Sequence, residues 1–230
     1  MSETTAGTAT DEQITIYTAY EIEFMLGLRA TENGAMTREQ IGLRSAPEEA
    51  REFVTAAVTS GLRARGKVER SADGQWVLGE EGQVVATALT AADRWLGIAL
   101  AEGEAMRMAF VIKANDAILM LTQDELDSFA VSALPDRSHV PASVADIVIA
   151  FLDEGHERTV SLRRTDISAP DQAVPMMFHT EQDRTWRIGH LPLDDEGILN
   201  VSDVAREDIG EAVRLLWEDG ISRAPSAPDA

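Results

Sequence analysis

The chain has 230 residues, of which 44% are hydrophobic and 26% charged, and its 40 acidic and 20 basic residues give a formal net charge of −20. This balance is typical of a globular protein with one large domain or two small ones. The charge disfavours binding to nucleic-acid phosphates and to anionic membranes. The absence of cysteine excludes disulfides, thiolate metal sites and cysteine nucleophiles.

Both ends of the chain are polar. Residues 1–13 lack the basic and apolar stretches of a signal peptide, and we expect a flexible N-terminus there. Residues 221–230 are rich in Pro, Ala and Ser, which predicts a disordered tail. No apolar run reaches the roughly 18 residues of a membrane-spanning helix. We therefore expect a cytoplasmic protein with no membrane partner and a single α+β domain over residues 14–220.

The first part of the chain is predicted to be helical. An apolar cluster indicates a helix over residues 17–29, and Thr37 is the expected N-cap of a short helix. A longer helix is expected from Pro47 to Arg65, because apolar residues recur there at helical spacing. The pair Asp73-Gly74 marks a turn, and a further helix is expected over residues 80–92.

The stretch Pro47–Leu100 permits two interpretations. In a winged-helix transcriptional regulator with a C-terminal sensor domain, Pro47–Arg65 would be the recognition helix and Lys67–Leu78 the wing. Alternatively, the stretch leads into a sheet-based binding domain. A recognition helix usually exposes several Lys, Arg, Asn or Gln side chains, whereas this one alternates Glu, Arg, Thr and Ser. The second interpretation is therefore favoured, with no nucleic-acid partner.

After residue 94 the apolar spacing changes from 3.6 to 2, which predicts β-strands. Two series of strands are expected, each followed by a helix. The strands of the first series are 95–100, 106–113, 117–121 and 125–134, with a helix that ends at Gly155; those of the second are 160–164, 173–180, 185–191 and 197–201, with a helix capped by Ser202-Asp203 that ends at Asp219.

The order of these elements predicts the fold class. An α-βββ-α unit occurs twice, in halves at about 14–155 and 144–220 that share the middle helix. We therefore expect an α+β fold with antiparallel sheet, helices packed on one face and a quasi-two-fold repeat. The halves share element order and little sequence identity.

No motif in the sequence indicates catalysis or a bound cofactor. There are four histidines, and His179 and His190 could pair across a hairpin, although a polar position on a sheet is the favoured interpretation over a metal site. No glycine-rich phosphate loop or nucleophile elbow is present. The acidic stretch 194–197 lacks the ligand spacing of a calcium loop. We expect no catalytic, cofactor or metal site.

The remaining candidate for function is an apolar hairpin. It carries large apolar side chains at consecutive positions, so both of its faces require cover, from a helix or from a protein partner. The candidate partner-binding residues are Met176, Phe178, Trp186 and Ile188.

Three stretches of the chain resemble a known family. They are the GLRARG segment at 61–66 with 88–92; residues 117–121, 129–135 and 140–143; and residues 177–191, with RTWR at 184–187, followed by DEGI at 195–198. In this order of elements, over Tyr17–Trp217, the chain resembles the EspG-like chaperones of type VII (ESX) secretion systems. It is shorter than the family pattern and lacks its proline-rich start, which bears on the identity of the partner.

The resemblance implies a cytosolic, non-catalytic chaperone with a quasi-two-fold α+β fold. Such proteins bind the tip of a helical PE/PPE-like secretion substrate, keep it soluble and guide it to the secretion machinery. No family residue is carried over to a binding position of this chain. The acidic exterior is consistent with a role in solubility.

Overall fold

A computed structural model describes residues 14–225 of the chain. The predicted α+β class with an antiparallel sheet is confirmed. The six helices are α1 (Ala19–Leu28), α2 (Glu32–Gln40), α3 (Arg51–Ala64), α4 (Glu80–Thr90), α5 (His139–Asp153) and α6 (Ile209–Arg214, continued by a π-helical turn Leu215–Asp219). The strands are β1 (Thr15–Thr18), β2 (Val68–Arg70), β3 (Trp76–Leu78), β4 (Arg94–Glu102), β5 (Ala105–Ala114), β6 (Ala117–Gln123), β7 (Ser128–Leu134), β8 (Arg158–Asp166), β9 (Val174–Thr180), β10 (Trp186–Leu193) and β11 (Leu199–Asp203).

Nine of these strands form one antiparallel sheet in the order β1-β7-β6-β5-β4-β8-β9-β10-β11. Each of the two runs β4–β7 and β8–β11 is a meander of neighbouring strands followed by a helix. The runs meet where β4 pairs with β8, from Arg94 opposite Asp166 to Glu102 opposite Arg158. Each run thus has four strands in the same element order, and a two-fold relation between the halves stays a prediction.

The helices lie on both faces of the sheet, whereas a single face was expected. Alternate residues of β4 separate the two cores: Leu96 and Ile98 pack in the core beneath α5 and α6. Trp95 faces the opposite core, beneath α1 to α4, where its indole N–H donates to the Thr37 hydroxyl at 3.0 Å. Thr37 in turn donates to the Leu89 carbonyl of α4. A strand whose two faces are both apolar requires cover on both, which the expected single layer of helices would not supply.

The first two helices begin at other residues than expected, α1 later and α2 earlier. Tyr17, predicted as helical, lies in the edge strand β1, and Thr18 is the N-cap of α1 in a capping box with Glu21. Thr37 was the expected N-cap of a short helix, but α2 starts at Glu32 and Thr31 supplies its cap. Thr37 instead points into the core as the hydrogen-bonding residue described above.

The C-terminal helix begins later than expected. Ser202 and Asp203, predicted as its cap, belong to β11, and the helix starts at Ile209. It ends at Gly220, whose φ of 65° is the left-handed conformation that favours glycine. The Arg164 guanidinium donates to the Leu216 carbonyl at 2.8 Å, so a strand side chain satisfies one of the last carbonyls of the helix.

The expectations for the two ends of the chain have different outcomes. Residues 1–13 and 226–230 lie outside the described residues. The expected disorder of 221–225 is wrong, because Ser222 is buried there. Its hydroxyl donates to the Pro175 carbonyl at 2.5 Å and accepts from the Leu191 N–H at 3.2 Å, which ties the segment to β9 and β10.

Candidate functional site

The four predicted partner-binding residues belong to a hydrophobic core. Met176 is 1% exposed and Phe178 and Ile188 are 0% exposed, in the core beneath α5 and α6. Trp186 is partly buried against the same core. Because a buried side chain cannot contact a partner without unfolding, the assignment is corrected for Met176, Phe178 and Ile188, which helices of the same chain cover.

The hairpin does present a second face, made by the alternate residues. Strand side chains alternate between faces, so Pro175, Met177 and His179 lie opposite the buried set. Gly189 is their neighbour on β10, directly across from Met177. Period-two alternation was visible in the sequence, but it did not indicate which of the two faces a helix would cover.

We name this surface the open face: the side of β4 and β8 to β11 that lies opposite α5 and α6, together with Met108 on the adjoining strand β5. The strand register places one residue from each of six adjacent strands in a single row across it. In order from β5 to β11, this central row is Met108, Ala99, Ser161, Met177, Gly189 and Val201.

Several residues of the open face are small, so their side chains rise little above the backbone of the sheet. Gly97, Ala99 and Ala101 follow one another on the open side of β4. On β10, Gly189 is buried, and a Cβ added there would lie 3.4 Å from Leu199 and from the Met177 methyl carbon, so these two side chains cover the glycine. The floor of the open face at Gly97 and Ala99 is therefore the part that a partner backbone could approach closely.

Polar groups border this floor. Arg163 is exposed and, with Gly97 and Met108, lines a depression of about 350 Å³. The Arg163 guanidinium forms no hydrogen bond or ion pair with any other side chain of residues 14–225. Arg187, by contrast, pairs with Asp203 at 2.5 Å. The open face therefore keeps one cation available for a partner.

Helical cover of the open side ends along β5. Phe110 is 4% exposed in the core beneath α1 to α4, Met108 is half-buried, and Met106 is 65% exposed. Beyond Met106 lies the β6–β7 turn with Leu126, which is 84% exposed. Met106, Met108 and Leu126 line a depression of about 720 Å³ together with Asp124, Glu125 and Asp127, which we name the hairpin furrow.

The histidines do not form a metal site. His179 lies on the open face, where its Nδ1 is 2.9 Å from the Thr159 hydroxyl. His190 lies on the other face, with its Nδ1 2.7 Å from the Leu191 carbonyl, so the sheet separates it from His179. Within residues 14–225, no group of three or more His, Asp or Glu side chains is arranged to hold a metal ion.

The carboxyl groups with lowered pKa values have local causes. Hydrogen bonds from Ser138 and His139 lower the pKa of Asp136 to about 2, at the turn that precedes α5. Hydrogen bonds from Thr185 lower the pKa of Asp183 in the β9–β10 turn. Both carboxylates accept hydrogen bonds that hold an exposed turn in shape.

The structural elements of the winged-helix alternative are present. α3 is followed by the β2–β3 hairpin, at the expected position of the wing. Two of the cations near it are paired, Arg65 with Glu21 and Lys67 with Glu81, whereas Arg63 and Arg70 are exposed and form no ion pair within residues 14–225. The outward side chains of α3 include Phe53, which is 78% exposed. This surface lacks the concentration of free cations that phosphate contacts need.

No helix within residues 14–225 combines the length and apolar character needed to cross a membrane. Neither the protein-family models nor the curated proteins with which the chain was compared contain a match to it.

Proposed function

We propose that the chain is a non-catalytic cytoplasmic chaperone of the EspG-like kind, which binds the helical tip of a type VII secretion substrate and keeps it soluble for export. The observation that carries the proposal is the open face. Helices cover one side of β8 to β11, and the other side exposes a floor in which Pro175, Met177 and Val201 lie beside the polar side chains of Thr159, Ser161 and Arg163. An antiparallel sheet can leave one face in water, but that face is then usually polar, so the apolar part of this one is the candidate contact surface.

The chemistry of the open face suits a helical partner. A helix packs on a sheet through small and apolar contacts, and the Gly97–Ala101 side of β4 allows close approach. Met108 and Met177 are flexible side chains that adapt to an irregular apolar surface. Arg163, at the border, can pair with a carboxylate or donate to the free carbonyl groups at the C-terminus of a helix. Together these features favour binding over catalysis.

Co-expression tests this proposal. The full chain is expressed with each PPE-like protein, and its PE partner, encoded in the source organism, and soluble complex is measured by co-purification. We expect a stable complex with a partner that is insoluble alone. Failure to obtain a soluble complex with any of these proteins contradicts the proposal.

A matched pair of variants locates the surface. Ser161 is exposed at the centre of the row, so Ser161→Arg places a long charged side chain on the apolar floor without disturbing either core. Ser168→Arg introduces the same change in an exposed loop. We expect the first variant to abolish co-purification and the second to preserve it. Equal behaviour of the two variants would place the partner elsewhere.

The winged-helix regulator is the second candidate, favoured by the order of α3 and the β2–β3 hairpin. The pairing of Arg65 and Lys67 within the chain and the net charge of −20 oppose it. A direct DNA-binding measurement, described in the Discussion, separates the two candidates.

A further inference from the structure

The hairpin furrow combines apolar exposure with a single sign of charge. Met106 and Leu126 are 65% and 84% exposed; Met106 lies near the start of β5 and Leu126 in the β6–β7 turn, at the same end of the sheet. Scattered exposed apolar residues are common, but here both border one depression of about 720 Å³ that also contains Met108. The furrow is continuous with the open face, because Met108 belongs to the central row.

The turn that carries Leu126 is held in shape before any partner arrives. The Asp124 carboxylate accepts from the Leu126 N–H and from the Ser128 N–H, both at 2.8 Å. Asp127 has a φ of 55°, and its carboxylate accepts from the Gln123 amide at 2.9 Å. A preformed turn lowers the conformational entropy that binding would cost, so Leu126 is suited to make a defined contact.

The charge of the furrow is negative. Asp124, Glu125 and Asp127 border it, and Glu104 occupies the neighbouring β4–β5 turn. Its one lining cation, Arg107, has its guanidinium 5.5 Å from the Phe151 ring centre, and Phe151 belongs to α5 on the other face of the sheet. Within residues 14–225, neither Glu104 nor Glu125 takes part in an ion pair.

We propose that the hairpin furrow binds a cationic amphipathic helix, whose apolar side chains contact Met106, Met108 and Leu126 and whose Lys or Arg side chains pair with Glu104 and Glu125. The inference rests on the proposed function and names the chemistry of the partner at one end of the open face. Methionine-rich apolar grooves bordered by acidic side chains suit helices of this type, because the methionines adapt to the apolar face and the carboxylates select the sign of the charge.

Two labelled synthetic peptides of about 18 residues test the sign of the charge. Both peptides have the same apolar face of Leu and Met. All remaining positions are Lys in one peptide and Glu in the other. Fluorescence anisotropy with the full chain is expected to show saturable binding of the Lys peptide that weakens with added NaCl, and no binding of the Glu peptide. Equal affinity for both peptides, or binding of the Glu peptide alone, overturns the proposal.

Charge variants separate the furrow from the general attraction of an acidic protein. The double variant Glu104→Lys/Glu125→Lys is expected to bind the Lys peptide with about tenfold lower affinity, since each exposed ion pair contributes a few-fold to the affinity. The double variant Glu49→Lys/Glu207→Lys makes the same change of net charge at two exposed sites away from the furrow. Its affinity for the Lys peptide is expected to fall by less than about threefold. Equal losses in the two double variants would mean non-specific attraction only, and would overturn the proposal.

Leu126→Ser tests the apolar contact and the alternative that a second copy of the chain occupies the furrow. We expect weaker peptide binding, with sedimentation unchanged at all protein concentrations. Self-association of the native chain that disappears in Leu126→Ser would assign the furrow to a second copy instead. If the furrow variants leave co-purification of a PPE-like partner intact while Ser161→Arg abolishes it, the inference fails and the proposed function stands.

Discussion

Met176 and Met177 are consecutive residues of β9 whose side chains lie on opposite faces of the sheet. The first is 1% exposed in the core beneath α5 and α6, and the second is half-buried on the open face, beside Gly189. The side chains on one face of this strand therefore stabilise the fold, and those on the other face are accessible to a partner.

This relationship gives a prediction for two alanine variants. Met176→Ala leaves a cavity in the core and is expected to lower the free energy of unfolding by about 2–4 kcal/mol. Met177→Ala is expected to change it by less than about 1 kcal/mol and to weaken partner binding instead. Urea unfolding followed by circular dichroism measures the first effect, and co-purification measures the second. Similar losses of stability in both variants would contradict the assignment of faces.

A second prediction concerns the neighbours Arg163 and Arg164. Arg164 is 7% exposed and donates to the Leu216 carbonyl and to the Asp166 carboxylate, each at 2.8 Å. Arg164→Met removes a donor from each of these acceptors and is expected to lower the free energy of unfolding by about 2–3 kcal/mol. Arg163→Met, on the exposed side, is the matched control and is expected to stay within about 0.5 kcal/mol. A reversed order of stabilities would show that the helix end does not depend on the strand arginine.

A third prediction follows from Tyr17. Burial, followed by the nearby Glu81 carboxylate, raises the pKa of this phenol to about 12, and its hydroxyl has no hydrogen-bond partner within the described residues. In the unfolded chain the tyrosine loses its proton near pH 10, so between pH 10 and 12 the folded state binds more protons than the unfolded state. The free energy of unfolding therefore falls as the pH rises through this window, by up to about 1.4 kcal/mol per pH unit.

Chemical unfolding of Tyr17→Phe from pH 9 to 12 isolates this contribution. The variant is expected to lose stability less steeply above pH 10 than the native chain, while the two behave alike below it. Tyr20→Phe is the control, because Tyr20 is 38% exposed. Identical slopes for Tyr17→Phe and the native chain would contradict the raised pKa.

The DNA-binding alternative has its own measurement. Because Arg65 and Lys67 are paired within the chain and the net charge is −20, we expect no binding of a 30-base-pair duplex at protein concentrations up to about 10 μM in 100 mM salt. Fluorescence anisotropy with a labelled mixed-sequence duplex gives the answer. Saturable binding that weakens with salt would favour the winged-helix interpretation instead.

Much of the fold could be predicted from the sequence, because the relevant signals are local. Alternating apolar residues indicated the eight strands from β4 to β11, and breaks such as Asn115-Asp116 marked their turns. The strand β1 was missed, because its four residues precede a helix and continue that helix's apolar pattern. The assignment of helices to two faces also required tertiary information, since Trp95 and Leu96 are equally apolar in sequence.

The candidate site was predictable only in part. The sequence singled out the hairpin of β9 and β10 as a candidate, and the side chains chosen were its largest apolar ones, Met176, Phe178, Trp186 and Ile188. Large apolar side chains are the ones that folding buries first, so size points to the core as readily as to a partner. The informative residues were the small ones, Gly97, Ala99 and Gly189, whose role depends on which side the helices leave uncovered.

The pairing of β4 with β8 has a consequence for how the chain folds. Each four-strand meander forms from local contacts, whereas this seam joins residues as far apart as Arg158 and Glu102, 56 positions, and Arg94 and Asp166, 72 positions. Contacts between residues far apart in sequence form slowly, because the chain loses the entropy of a large loop before the contacts stabilise it. Until β8 arrives, β4 exposes a full-length unpaired edge that other chains can join. We therefore expect the nascent chain to be most prone to aggregation after β7 is made and before β8 docks.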